Sequence, residues 1–352
     1  MTALGPIRLR RCYAHCPACV QGSFPADHLL GLDGWLTARA LQMACRAGVA
    51  DPFRKAEVLL KELAGWSVDA DTLRRRCHEQ AAHAAASRPD RSGLPQAFAH
   101  AAGDHELHLD AGKVNTIEDH WRDVKVAVFA CRERGEPSDS AGLDQRNLPP
   151  PSVRSVVAAI EGREAFGARV EAEALRLGIP LSEGLSILAD GAEWIWNLAV
   201  DHFHGAAQLL DIWHGVENVA QAGRVALGVG EEFQTWLGQA KAQLVGDGYA
   251  GVCETLGSLT AVAGTSMPAC AAVAEALNYF ASHQERLGYA VRLRRGQSVG
   301  SGLVEGSIKQ LVNLRMKRTG ARWRVARVGP FAEFVALADS PEWSEYWMTL
   351  AA

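Results

Sequence analysis

Three carboxylates, Asp110, Asp190 and Glu305, stand in settings suited to metal-dependent chemistry. Glu106, His108 and Asp110 alternate with Leu107 and Leu109, the period of a strand, and the apolar run Leu185 to Ala189 ends at Asp190. Each aspartate is therefore expected at the carboxyl end of a strand, held rigidly yet facing a cleft. Glu305 falls in the first turn of a last helix that starts near Leu303, after the Gly300-Ser301-Gly302 turn. Hard oxygen ligands held in this way suit Mg²⁺ or Mn²⁺, and cleavage of a phosphodiester needs at least one of them shared between two ions. Counted alone among 40 acids, the three are a weak signal. Asp211 and His214, at another strand-to-helix junction, read equally as a helix N-cap with a first-turn residue and as support for an active site. Trp194 and Trp196 could stack on an unpaired base, but tryptophans after a strand are expected in the core.

The net charge of −4 argues weakly against a nucleic-acid partner, but the average hides an asymmetry. Between Arg286 and Arg327 eleven Lys or Arg residues face a single acid, Glu305. Lys309, Arg315, Lys317, Arg318, Arg322 and Arg324 lie on or just after the helix bearing Glu305, which suits contacts to backbone phosphates, although a solvated helix face reads alike. Eight scattered cysteines form no disulfide framework and suggest a reducing cytoplasm. No membrane partner is expected: the most hydrophobic stretch, Ser258 to Leu277, is interrupted by Gly264, Thr265, Ser266 and Pro268 and reads as a buried helical region.

Along the sequence the chain divides into four parts. Residues 1–26 are a loop-rich segment resembling part of a zinc ribbon, in which Cys16 and Cys19 supply two thiols of a site that needs four ligands, so Zn²⁺ is doubtful; Cys12 or His15 could add to it. Residues 27–83 contain two helices joined by a glycine turn. Ala56, Leu59, Leu60 and Leu63 share one face, Gly65 ends the first helix, Val68 packs inward, and Asp69 or Asp71 caps the second, which carries Arg74 and Arg75. That is the layout of a DNA-binding helix-turn-helix, and equally of an ordinary helical hairpin. Residues 84–104, rich in Ala, Ser, Pro, Gly and Asp, read as a linker. From 105 to 352 the pattern is a mixed α/β sheet domain: strands near 106–110 and 124–128, a helix over Val153 to Leu177, strands at 185–189 and 208–210, and a helical insertion at about 213–287.

Four blocks of this domain resemble those of bacterial insertion-sequence transposases of the ISKra type, relatives of the Mutator-like transposases. His108-Leu109-Asp110-Ala111-Gly112-Lys113 with Trp121-Arg122-Asp123-Val124-Lys125-Val126 resembles the first-aspartate block. Leu188-Ala189-Asp190-Gly191-Ala192-Glu193-Trp194 resembles the second. Leu210-Asp211-Ile212-Trp213-His214 is similar to the Asp-x-x-His element, and Val299 to Ser307 with Arg315, Lys317, Thr319-Gly320 and Trp323 to the glutamate block. The resemblance implies an RNase H-like fold with a helical insertion, an Asp110-Asp190-Glu305 triad binding Mg²⁺ or Mn²⁺, support from Asp211 and His214, and double-stranded DNA as partner. It also implies assembly as a homo-oligomer on DNA and a bacterial, cytoplasmic, nucleoid-associated setting. The chain departs from the family in having Asp-Ala-Gly at the first aspartate and Gly306 after the glutamate. The family carries a longer N-terminal region with a second cysteine pair, so a truncated reading frame or a misassigned start is expected here. Two other readings stay open: an inactive DNA-binding remnant of a transposase, and a nuclease of the same fold that does not transfer strands.

Overall fold

The computed structural model describes residues 1–263 and 266–351, so Gly264 and Thr265 of the apolar stretch lie outside the described residues. Near the N-terminus, Ala14–His15 pairs with Gly22–Ser23 in a small hairpin around Cys16 and Cys19. Helices α1 (Ala38–Ala50), α2 (Phe53–Ala64) and α3 (Ala70–Ala86) follow. Gly65, in the left-handed region at φ 72°, ends α2 as its position in the sequence suggests, and Asp69 caps α3 by accepting from the Thr72 N–H at 2.9 Å. Ala56, Leu60 and Val68 are buried, whereas Leu63, expected on the same face, is 84% exposed. The stretch read as a linker holds the end of α3, a 3₁₀ turn and helix α4 (Gly93–His100), whose Leu94 and Phe98 are buried.

A five-stranded mixed sheet forms the centre: β1 (Asp104–Thr116), β2 (His120–Arg132), β3 (Val153–Ala159), β4 (Leu185–Ala189) and β5 (Ala207–Leu210). Its spatial order is β3-β2-β1-β4-β5; β1 to β3 are antiparallel neighbours, and β4 and β5 run parallel to β1. The helix expected over Val153 to Leu177 is two elements. Residues 153–159 are the edge strand, and only Arg163–Leu177 (α5) is helical. The Val-rich segment is buried on both faces apart from Arg154, so it shows no alternation to mark it as a strand.

Helix α6 (Glu193–His202) links β4 to β5. Beyond β5 the chain is helical through α7 (Ile212–Leu227), α8 (Glu231–Asp247), α9 (Tyr249–Ala263) and α10 (Met267–Ser282), as the sequence leads one to expect of this insertion, with no strand among the described residues. Short α11 (Tyr289–Arg294) and α12 (Gly302–Ile308) follow, then a π-helical turn over Lys309–Leu314. The helix starting near Leu303 is not the last, because α13 (Val325–Ala338) and α14 (Glu342–Ala351) succeed it.

The strands alternate between two cores. Leu107, Leu109, Ala127 and Phe129 face a core shared with α4 to α7 and the rest of the insertion. Val114, Val124, Val126 and Val128 face one shared with α1 to α3 and α12 to α14. The N-terminal helices thus cover one face of the sheet, and burial of this apolar surface drives their docking. No described helix is long and apolar enough to cross a membrane.

Candidate active site

Asp110 lies in the middle of β1, not at its end. The parallel pairing with β4 nonetheless stops at Leu109 opposite Ala189, so Asp110 and Asp190 occupy the next step on neighbouring strands, where β4 has ended and β1 continues only beside β2. Each carboxylate is half-buried and fixed locally: Asp110 accepts from the Ala111 N–H at 2.6 Å and Asp190 from the Ala192 N–H at 3.0 Å.

Asp211 directly follows β5 and is fully buried. Its Oδ1 caps α7 by accepting from the His214 N–H at 2.9 Å and lies 3.2 Å from His214 Nδ1, while Oδ2 accepts from the Ser301 N–H. The Ser301 hydroxyl donates to Glu305 Oε1 at 3.3 Å. Asp211 is therefore the N-cap of α7, and it also ties the end of β5 to the turn that launches α12, whose Ser301 bonds Glu305. Ligand atoms of Asp211, His214 and Glu305 lie within 4.8 Å of one another.

Electrostatics joins Asp110 and Asp190 to that group. Burial pushes the Asp110 carboxyl up to about 6; the Ala111 N–H opposes the shift, and the charges of Asp190 and Glu305 add to it. The bond to Asp211 pushes His214 up to about 9 against its desolvation, helped by the charges of Asp211, Asp190 and Glu305. Burial alone would raise Asp211, but the bonds from His214 and Ser301 outweigh it and hold that carboxyl below its ordinary value. An imidazolium among four carboxylates supplies the positive charge that a divalent ion could take over. With Nδ1 engaged by Asp211, His214 keeps Nε2 for ligation, an arrangement common among metal-binding histidines. The donor set, mainly carboxylate oxygens, could hold a hard divalent cation.

Glu305 reaches the site because α12 packs close to β1. A Cβ at Gly112 would lie 2.8 Å from Ile308 Cγ2 and 3.3 Å from Val312 Cγ1. Gly112→Val is expected to push α12 outward, costing about 1–3 kcal/mol of stability and weakening Mn²⁺ binding. Chemical denaturation and calorimetric titration check this, and unchanged values would show that the close approach is dispensable.

Two residues of the helical region reach the site without having been flagged by the sequence. The Tyr279 ring occupies the space above Gly191, where a Cβ would fall 2.5 Å from its Cε2. Burial, with the charges of Asp190 and Asp211, raises its hydroxyl well above the ordinary tyrosine value. Tyr289 is fully buried, and its hydroxyl is raised by burial and by Asp211. A helical pattern assigns both to core packing; only the folded chain brings Tyr279 of the insertion and Tyr289 of α11 to the carboxylates. Trp196 is buried and Trp194 packs partly against the same core, as tryptophans after a strand should.

The basic residues separate into groups. Arg74, Arg318, Arg322 and Arg324 line one cleft at the far end of β1, together with Arg315. Arg315 is not a surface cation: it is 5% exposed, donates to the Gly48 carbonyl from Nε at 3.1 Å and Nη2 at 2.6 Å, and stacks on Phe53 and Phe331. Arg75 is exposed outside the cleft, Lys309 is exposed one turn beyond Glu305, and Lys317 Nζ lies 5.4 Å above the Trp121 ring. Cys16 and Cys19 are exposed on the N-terminal hairpin; bonding to Cys19 lowers the Cys16 thiol, and among the described residues no third ligand joins them in a metal-capable group. No protein-family model matches the chain, and no curated protein matches it either.

Proposed function

We propose that the chain is a DNA transposase that cuts the ends of an insertion sequence and joins them to target DNA. The observation that carries this reading is the convergence of Asp110, Asp190, Asp211, His214 and Glu305, from four separate stretches of sequence, where β4 and β5 end beside the middle of β1. These are the carboxylates and the supporting pair that the resemblance to ISKra-type transposases singles out. The sheet supports the finer fold reading as well: an antiparallel meander of three strands followed by two strands parallel to the first, in the order 3-2-1-4-5, is the arrangement of an RNase H-like sheet.

Two bound divalent ions would supply activation of the attacking hydroxyl and stabilisation of the leaving oxygen. The chain's own contribution is geometric. Asp110 and Asp190 present oxygens from the rigid centre of the sheet, Glu305 closes the site from α12, and Asp211 fixes both the His214 ring and the Ser301 turn. Exposed Lys309, one turn from Glu305, can meet a DNA phosphate beside the reacting one.

The test is incubation of the purified protein and Mg²⁺ with plasmid DNA carrying the sequences that flank its gene. Nicks that expose 3′-hydroxyls at the element ends, followed by joined products, support the proposal. Nicking without joining favours the nuclease reading, and binding without nicking favours the remnant.

A further inference from the structure

The arginine-lined cleft lies between the start of α2, α3, the tip of the β1–β2 hairpin and the segment leading into α13. Its volume is about 250 Å³; six arginines line it, and no acid does. Arg74, Arg318, Arg322, Arg324 and Arg327 are exposed, and Arg315 forms part of the wall beside Phe53 and Trp323. Arg74 has an exposed partner, Asp71, at 3.4 Å; the other four exposed arginines make no ion pair among the described residues. The nearby Glu118 carboxylate is engaged by the Val325 N–H at 3.1 Å. Desolvation pushes His78, in the wall, down to about 4, and the charges of Arg327, Arg74 and Arg315 add to the shift.

Like charges gathered over an aromatic wall repel one another until an anion enters. A planar guanidinium matches phosphate oxygens in paired hydrogen bonds, so the anion best suited to this lining is a phosphate group. The cleft has a defined place relative to the carboxylates. Trp323 is laced to the end of β1 by the Trp323 N–H to Asn115 carbonyl bond at 3.0 Å and the Ile117 N–H to Trp323 carbonyl bond at 2.9 Å. Asn115 to Ile117, at and just past the end of β1, lie five to seven residues beyond Asp110, a run of about 20 Å at ~3.3 Å per residue. Duplex DNA rises 3.4 Å per base pair, so that run spans about six base pairs.

We infer that this cleft seats a backbone phosphate of duplex DNA about six base pairs from the phosphodiester at the carboxylates. The inference rests on the proposed function for its duplex partner, but its test does not depend on cutting. In EDTA, binding of a duplex from the flanking DNA is measured against salt for the wild type and for a variant combining Arg322→Ala, Arg324→Ala and Arg327→Ala. All three side chains are exposed, and an unchanged melting temperature shows that the variant is folded. Affinity should fall at least about tenfold on any sequence, and the slope of log affinity against log salt should flatten by about one to two. A methylphosphonate walked along one strand should weaken wild-type binding at a discrete position and add nothing to the variant's loss.

Unchanged affinity and slope in the variant would overturn the inference, as would tighter wild-type binding of single-stranded RNA than of the duplex. If the variant loses binding but the wild type never cuts, the cleft stands and the transposase reading fails. If the wild type cuts and joins while the variant binds as tightly, the cleft assignment fails and that reading stands.

Discussion

Asp190→Asn is expected to abolish Mg²⁺-dependent cleavage, with a loss on the order of 10³-fold or more, while DNA binding and folding persist. Replacing a carboxylate with an amide removes the charge that would hold a divalent ion, and losing several kcal/mol of transition-state stabilisation corresponds to that factor. Folding should tolerate the change, because the Asn carbonyl can still accept from the Ala192 N–H now bound by Asp190 Oδ1, and repulsion with Asp110 is relieved. Single-turnover cleavage, duplex binding and thermal melting measured on one preparation separate these effects. A variant that cuts at the wild-type rate would remove Asp190 from the reaction.

The second large effect concerns stability. Glu173, buried on α5, accepts from Arg88 Nε and Nη2 at 2.9 and 2.8 Å, from Arg176 Nε and Nη2 at 2.8 and 2.9 Å, and from the Ser155 hydroxyl at 2.6 Å. Arg88 also pairs with Glu333 of α13, and Arg176 with Glu342 of α14, so one network clamps helices from both faces of the sheet. Burial would raise the Glu173 carboxyl, but the Arg88 charge and the bonds from Arg176 and Arg88 hold it at about 2. Glu173→Gln leaves two arginines undercompensated and should cost about 3–5 kcal/mol. The pH dependence follows from the sign of the shift. Because the folded value is depressed, the contribution is present above the ordinary carboxylate value of 4.5 and is lost as pH falls toward about 2. Denaturant titrations across that range should show a wild-type acid limb that is flatter in the variant; equal stability at neutral pH would refute the clamp.

The parts of this architecture that were legible in the sequence are those written in local pattern. The runs ending at Asp190 and Asp211 are short strands, the first buried throughout and the second at Leu209 and Leu210, and their position just before polar, helix-starting residues marks where they end. The insertion declared itself by lacking alternation. Val153 to Ala159 does not read as a strand because a strand buried on both faces has no period, and the neighbouring Arg163 to Leu177 has a helical composition. Arg315 shows the limit of charge counting: a cation stacked between Phe53 and Phe331 has the same sequence signature as one awaiting a phosphate. Tyr279 beside Gly191, and Arg74 beside Arg318 and Arg322, are juxtapositions made only by tertiary packing across long separations.

In the proposed reading the converged carboxylates hold the ions that act on DNA. Crystals of the protein soaked in Mn²⁺, with anomalous scattering recorded at the manganese edge, locate such ions. The expected result is manganese peaks between Asp110, Asp190 and Glu305, with His214 Nε2 at the margin, and their loss in the Asp190→Asn protein. Peaks elsewhere on the molecule, with this site empty at saturating Mn²⁺, would contradict it.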